Sequence, residues 1–182
     1  KLNYADHVFR QKSNSRPAIL FKNEQKPTQE ISWSDLECQT ASFAAWLSEQ
    51  GIRAGDRVAA FLPNSPHAVV AVLACMSIGA VWSSCSPDFG AASVADRFAQ
   101  IEPRILIACD GYGYGGKSFD KSETVRELHH LLPTVEKLVL VPYLNENLRA
   151  EDFPNAIVWD DALKSNPRNS ILEFAALPFS HP

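Results

Sequence analysis

The stretch from Arg57 to Gly90, RVAAFLPNSPHAVVAVLACMSIGAVWSSCSPDFG, leaves the chain few folds to adopt. Arg57 to Leu62 is a short run of apolar and small residues, and Pro63-Asn64-Ser65 is turn chemistry. Pro66 to Ile78 is then almost entirely apolar at helical length. Ser65 is a good helix cap, and Pro66 sits where a missing amide costs nothing. Gly79 supplies a helix stop, and Ala80 to Ser84 begins a second strand that runs into the turn Ser86-Pro87-Asp88-Phe89-Gly90. The unit reads as a βαβ crossover. Parallel strands joined this way need helices on the sheet faces, and ligands of such sheets sit beyond the carboxyl ends of the strands, where Ser84 to Gly90 lies.

The flanking sequence extends the same pattern. Ala18 to Phe21 reads as an edge strand, residues 22–30 as a hairpin loop, and Ile31 to Trp33 as a returning strand. Ser34-Asp35-Leu36-Glu37 has the Ser-x-x-Glu form of a capping box, so a helix is expected from there, with Leu36, Thr40, Phe43, Ala44 and Leu47 on one face and Gly51 as its stop. Val94, Phe98 and Ile101 mark a further amphipathic helix ended by Pro103. Arg104 to Cys109 reads as a buried strand, Asp110 to Lys117 as a glycine-rich loop, and about Ser122 to Leu132 as a helix. Lys137 to Val141 and Ala156 to Trp159 are strands, and Asp160 to Lys164 a helical turn; the order is indistinct from Asn166 on. The sum is βαβαβαβ with an antiparallel start: an α/β fold, a mostly parallel sheet flanked by helices.

With 182 residues, 46% of them hydrophobic, the chain can bury a sizeable core. A formal charge of −4 with no basic block argues against nucleic acid as a partner. The longest apolar stretch, Ala68 to Trp82, falls short of the roughly 20 residues that span a bilayer. KLNYADHVFRQKSNSRP has no secretory h-region, and a cytoplasmic setting is expected. Cys38, Cys75, Cys85 and Cys109 show no metal-ligand spacing and read as small buried hydrophobes. Neither a catalytic triad spacing among the five histidines nor a metal site is expected. His129-His130 reads as a solvated cap near a helix end, Trp33, Trp46, Trp82 and Trp159 as core, and Asp160-Asp161 as helix-capping residues.

Gly111 to Ser118 satisfies GxxxxGK[ST] and follows a strand, as a phosphate loop should. A P-loop nucleotidase is therefore one reading, in which Asp160 at the end of an apolar strand would hold magnesium. Against it, Ser118-Phe119-Asp120-Lys121 does not open directly into a helix that could receive phosphates, and Asp110 and Asp120 oppose a polyphosphate.

Over nearly its whole length the chain resembles the acyl-CoA synthetases, the adenylate-forming ligases. The motifs that carry the likeness are KLNYADHVFR, the βαβ stretch, ADRFAQIEPRILIACDGYGYGGK and LPFSHP, in the family's order. SSCSPDFG together with LPFSHP resembles the branch that activates acetoacetate. The resemblance implies that ATP and a carboxylate give an acyl-adenylate and pyrophosphate, with Mg2+ assisting, and that the thiol of coenzyme A then displaces AMP. It implies acetoacetate or a similar short-chain carboxylate as substrate, and downstream subdomains of the same protein as packing partners. The ATP phosphate loop is expected a few residues after LPFSHP. Residues 1–182 are thus expected to be a partial N-terminal subdomain: 1–33 an extension and hairpin, 34–165 a βα core, and 166–182 a linker toward that loop. No catalytic residue is expected within it, and the fragment alone is expected to be inactive. Alternatives that stay open are a sibling such as acetyl-CoA synthetase, the nucleotidase, and a non-catalytic interaction module.

What the resemblance places within the chain is the coenzyme A side. Tyr114-Gly115-Gly116-Lys117 matches a loop that contacts the nucleotide end of coenzyme A with a basic residue at each end; here Lys117 keeps one charge and Tyr114 replaces the other. Lys117 is expected to contact a phosphate, the glycines to let backbone amides approach, and Tyr114 to stack on adenine. Asp88, Phe89 and Gly90 match a segment that lines the pantetheine channel, with a plain strand-to-helix turn as the alternative.

Overall fold

A computed structural model describes residues 1–24, 26–164 and 171–182. Its elements in order are α1 (Tyr4–Phe9), β1 (Ile19–Phe21), β2 (Gln29–Ile31), α2 (Trp33–Glu49), β3 (Arg57–Phe61), α3 (Pro66–Ile78), β4 (Val81–Cys85), α4 (Ala91–Ala99), β5 (Ile105–Cys109), β6 (Gly111–Tyr114), β7 (Lys117–Asp120), α5 (Ser122–Leu131), β8 (Lys137–Val141), β9 (Ala156–Val158) and α6 (Trp159–Lys164). The expected linker residues 166–170 lie outside the described residues. The chain divides into two compact units, one of residues 1–56, 65–81 and 162–182, the other of residues 57–64 and 82–161.

The first unit is built on α2 and α3, which pack together, with α1 against α3. Ser65 caps α3, Pro66 occupies its first turn, and Gly79 closes it at φ 80°, the left-handed conformation that glycine adopts without strain. All five residues expected on the inner face of α2 are buried. Its start differs from expectation. The cap is Ser32, whose Oγ accepts from the Asp35 amide at 3.0 Å and donates to the Asp35 carboxylate at 2.7 Å. The box therefore lies two residues earlier than the one expected at Ser34, and Trp33 is helical rather than extended. Glu37 is engaged elsewhere, by Lys12 Nζ at 2.6 Å. A short helix not foreseen, α1, starts from Asn3, whose Oδ1 accepts from the Ala5 amide at 3.0 Å. The Asn3 Nδ2 donates to the carbonyls of Met76, Ser77 and Ala175 at 2.9, 3.1 and 3.0 Å.

The second unit carries the sheet, in strand order β4-β3-β5-β8-β9. The pairs β3–β5, β5–β8 and β8–β9 are parallel, with Val58 opposite Ile105, Ile105 opposite Lys137 and Leu138 opposite Ala156. The fold is α/β as expected, and the strands expected over 57–62, 80–84 and 104–109 lie side by side. Alternate residues Ala59, Phe61, Leu106, Ala108, Leu138 and Leu140 form one sheet face, packed against Val94 and Phe98 of α4 and Val125 and Leu128 of α5. The intervening residues Val58, Ala60, Ile105, Ile107, Val139 and Val141 are as fully buried. That two-sided burial is why the strands read as unbroken apolar runs.

Trp46 and Trp159 are buried as expected, whereas Trp33 and Trp82 are half-buried. Cys75, Cys85 and Cys109 are buried thiols, and Cys38 is half-buried. Burial pushes the Cys109 thiol up to about 12 and Cys75 higher still, so both are inert packing groups. His129 is partly buried, and that burial lowers its pKa. It is less solvated than its place near a helix end suggests. Asp160 and Asp161 stand in the first turn of α6, the end that favours carboxylates.

Candidate functional site

The loops after β4, β5 and β8 leave the carboxyl ends of strands in one sheet. The chain steps from β3 outward to β4 and then returns past β3 to β5, so the order reverses beside β3. A crevice at such a reversal is where open α/β sheets bind ligands. Two expected site segments lie there, residues 86–90 after β4 and residues 110–120 after β5.

The second segment is not a loop. Gly111–Tyr114 and Lys117–Asp120 pair antiparallel as β6 and β7, with Tyr112 opposite Phe119 and Tyr114 opposite Lys117. Gly115 and Gly116 form the two-residue connection at φ 58° and 70°. Positive φ at both central positions is the type I′ geometry whose twist matches a hairpin, and it asks for glycine. This corrects the glycine-rich-loop reading and removes the P-loop. Lys117 opens a strand, and α5 begins only at Ser122, introduced by the Asp120 carboxylate accepting from the Ser122 amide at 2.7 Å. No helix N-terminus stands behind Lys117 to receive phosphates.

Strand alternation sorts the hairpin into two faces. Tyr112, Tyr114, Lys117 and Phe119 share one; Gly111, Gly113, Ser118 and Asp120 share the other. On the first face the Tyr112 and Phe119 rings stack with centroids 5.1 Å apart. Lys121 Nζ lies 5.7 Å from the Tyr112 centroid. Tyr114 is 71% exposed, and Lys117 is exposed beside it. The face offers an open aromatic ring next to an ammonium group, a combination suited to a base and a phosphate.

The root of the hairpin is fixed by Asp110. Its carboxylate is 4% exposed and accepts from three successive amides after β8, Tyr143 at 2.7 Å, Leu144 at 2.9 Å and Asn145 at 2.7 Å. Its carbonyl accepts from the Lys121 amide at 2.7 Å, closing the base of the hairpin. Asp110 is thus a structural anchor; the sequence reading gave it only a place beside a phosphate loop.

The turn at residues 86–90 is held by its own side chains. The Asp88 carboxylate accepts from Ser86 Oγ at 2.8 Å. The Tyr112 hydroxyl, then the Ser86 hydroxyl, draw the Asp88 pKa below the ordinary carboxylate range, with Lys121 adding a small pull. The Asp88 carboxylate as acceptor, then slight burial and the charge of Asp88, raise the Tyr112 phenol. Asp88 favours this arrangement above an ordinary carboxylate pKa of about 4, and its contribution fades as pH falls through the depressed value. Tyr112 favours it below about 10 and loses its contribution as pH rises through the raised value. Asp88→Asn is therefore expected to bring the Tyr112 phenol back toward its ordinary value. Ultraviolet titration of the phenolate band checks this, and an unchanged curve would show that the two groups do not interact in solution.

Of the other expected site residues, Phe89 is 42% exposed with the Arg97 guanidinium 5.0 Å above its ring, and Gly90 is the extended residue before α4. Asp88 is bonded within its own turn, and Phe89 and Gly90 lie on the α4 side. Tyr112, Phe119 and Lys121 were missed. The signal for them was a Gly-Gly pair between alternating segments, GYGY and KSFD, which is a hairpin signature.

The AMP-binding enzyme family model matches residues 6–180 of this chain. The chain belongs to the AMP-binding enzyme family. Within that family it is similar to acetoacetyl-CoA synthetase of Macaca fascicularis, 40% identical over 187 residues that cover 100% of this chain and 28% of the relative. Acetoacetyl-coenzyme A synthetase of Rhizobium meliloti is 40% identical over 185 residues, with the same coverage of 100% and 28%. The solved structure of acetoacetyl-CoA synthetase from Streptomyces lividans superposes with a TM-score of 0.90 at 41% identity, covering 100% of this chain and 27% of that one. The chain therefore spans little more than a quarter of the length of these AMP-binding relatives. No helix among the described residues is long and apolar enough to cross a membrane.

Proposed function

We propose that this chain is the N-terminal part of an ATP-dependent acid–thiol ligase that converts acetoacetate, ATP and coenzyme A to acetoacetyl-CoA, AMP and pyrophosphate. In this proposal it works in the cytoplasm and packs against downstream subdomains that carry the ATP and Mg2+ sites. Residues 1–33 are then an extension, 34–165 the βα core, and 166–182 the approach to the phosphate loop. Support for the substrate comes from relatives of both animal and bacterial origin that are acetoacetyl-CoA synthetases.

The role proposed for this chain's own residues is to hold coenzyme A, which supplies the thiol that accepts the acyl group. The observation that carries this is the pairing of Tyr114 with Lys117 on one exposed hairpin face. The Lys117 ammonium binds a phosphate of the nucleotide end and Tyr114 stacks on adenine. Gly115 and Gly116 have nothing within 4 Å of where a Cβ would stand, so the backbone there is open to close approach. Asp88, Phe89 and Gly90 border the pantetheine arm.

Lys117→Ala in the full-length protein is expected to raise the KM for coenzyme A about ten- to a hundred-fold, the worth of a charge-assisted phosphate contact. Adenylate formation, read as ATP–pyrophosphate exchange, should stay close to wild type. Equal loss in both assays, or no change in the KM, would sink the assignment.

A further inference from the structure

The stretch 174–182, expected as part of a linker, is fastened to the start of the chain and to the carboxyl end of α3. Leu2 and Leu177 exchange a pair of backbone bonds, the Leu2 amide to the Leu177 carbonyl at 2.8 Å and the reverse at 3.1 Å. The Ala175 amide donates to the Ser77 carbonyl at 2.7 Å, and His181 Nε2 to the Gly79 carbonyl at 2.8 Å. Gly79 lies so close under this stretch that a Cβ there would stand 2.8 Å from Leu177 Cδ2. A helix leaves its last carbonyls without partners of its own, and those at the end of α3 are the acceptors used here.

One side chain holds all three parts together. Asn3 Oδ1 caps α1, accepting from the Ala5 and Asp6 amides at 3.0 and 3.4 Å. On its other side Nδ2 donates to the carbonyls of Met76, Ser77 and Ala175 at 2.9, 3.1 and 3.0 Å. Nδ2 has two protons for these acceptors, so one is shared, and only a donor fits where the carbonyls converge. A single amide group thus ties the first helix, the end of α3 and the backbone at Ala175. The chain then turns, with the His181 amide donating to the Pro178 carbonyl at 3.1 Å, and the bond from the His181 ring to Gly79 sets its direction there.

We propose that Asn3 is a positioning residue for adenylate formation: by bonding Ala175 to the end of α3 it sets the course of 174–182, and so the place at which the ATP phosphate loop meets the nucleotide. This rests on the reading given above, in which 166–182 is the approach to that loop. Asn3 touches no substrate in this role and acts through the backbone of Ala175. A loop that arrives about 1 Å out of place loses much of its hold on the reacting groups. The effect falls on the ATP half-reaction, because the residues proposed for coenzyme A belong to the other compact unit.

The test uses the full-length protein. Asn3→Ser keeps an oxygen that can cap α1 and removes the Nδ2 donors; Asn3→Asp keeps the cap and sets a carboxylate against three carbonyls. Asn3→Ser is expected to raise the KM for ATP in ATP–pyrophosphate exchange about three- to ten-fold, the range of one hydrogen bond, and Asn3→Asp to raise it further. The KM for coenzyme A should stay at the wild-type value in both. Hydrogen exchange at the Ala175 and Leu177 amides should be faster in Asn3→Ser. A role in stability alone would lower the active fraction, and with it the apparent kcat, and leave both KM values where they are. An unchanged KM for ATP in Asn3→Ser, or an equal rise for ATP and coenzyme A, would overturn the proposal. KM reads only folded molecules, so a poor yield of Asn3→Asp leaves Asn3→Ser to decide. Failure here is separable from failure of the ligase reading. If the wild-type protein exchanges pyrophosphate and Asn3→Ser does so with an unchanged KM for ATP, only the positioning role falls; if the wild-type protein catalyses no exchange, adenylate formation itself is wrong.

Discussion

Asp110→Ala is expected to destabilise the protein by about 3–5 kcal/mol, the range seen when one partner of a buried charged network is removed. The carboxylate is 4% exposed, and its two oxygens accept from the amides of Tyr143, Leu144 and Asn145 at 2.7, 2.9 and 2.7 Å. Its removal takes this acceptor from all three amides, and a donor left cut off from water costs about 1–3 kcal/mol. The loop after β8 would loosen first. Denaturant unfolding should show the loss, and hydrogen exchange should show the three amides unprotected. Asp110→Asn, which replaces one acceptor oxygen by a competing donor, should fall between wild type and Asp110→Ala. A loss below about 1 kcal/mol for Asp110→Ala would mean that water satisfies these amides and that the anchor is dispensable.

Gly111→Ala is expected to cost about 2–3 kcal/mol and to disturb the proposed coenzyme site from a distance. A Cβ at position 111 would press on the Phe119 carbonyl oxygen and stand 2.5 Å from Leu144 Cδ1. Leu144 can shift its methyl, but the Phe119 carbonyl belongs to the paired strand and cannot move without opening the hairpin. The root would splay and the Tyr112 to Phe119 register would slip, so the KM for coenzyme A should rise along with the loss of stability. Gly90→Ala is the contrasting case. Its φ is −75° and a Cβ there meets nothing within 4 Å, so stability should change by less than about 0.5 kcal/mol. Equal stability of Gly111→Ala and wild type would contradict the close approach of β7 to β6 at this point.

The course of the sheet and the two long helices of the first unit were legible because local chemistry and tertiary demand agree there. Pro66 after Ser65, and Gly79 at φ 80°, start and stop α3 by effects that act within one turn. Apolar runs at 57–61, 105–109 and 137–141 could only be strands buried on both faces. The start of α2 was ambiguous because Ser32 and Ser34 each have an acid three residues on. Burial decided it: β2 must end at Ile31 to pair with Ile19, and Glu37 is claimed by Lys12.

The candidate site was half legible. The family resemblance of the sequence pointed to the residues proposed for coenzyme A, Asp88 beyond a strand end and Tyr114 with Lys117 around a Gly-Gly pair. It gave that pair as part of a glycine-rich loop, with a phosphate loop as one reading, where the structure has a hairpin turn. The same eight residues satisfy both patterns, and the decision rests on whether the next residues pair backward as a strand or continue into a helix. Only the tertiary structure brought Asp110 to amides 33 to 35 residues away. The physical reason is strand order. Alternation and turn chemistry act between neighbours in the chain and say which residues form a strand. Which strand lies beside which is decided by burial of both sheet faces at once, and that order, β4-β3-β5-β8-β9, sets which loops can touch.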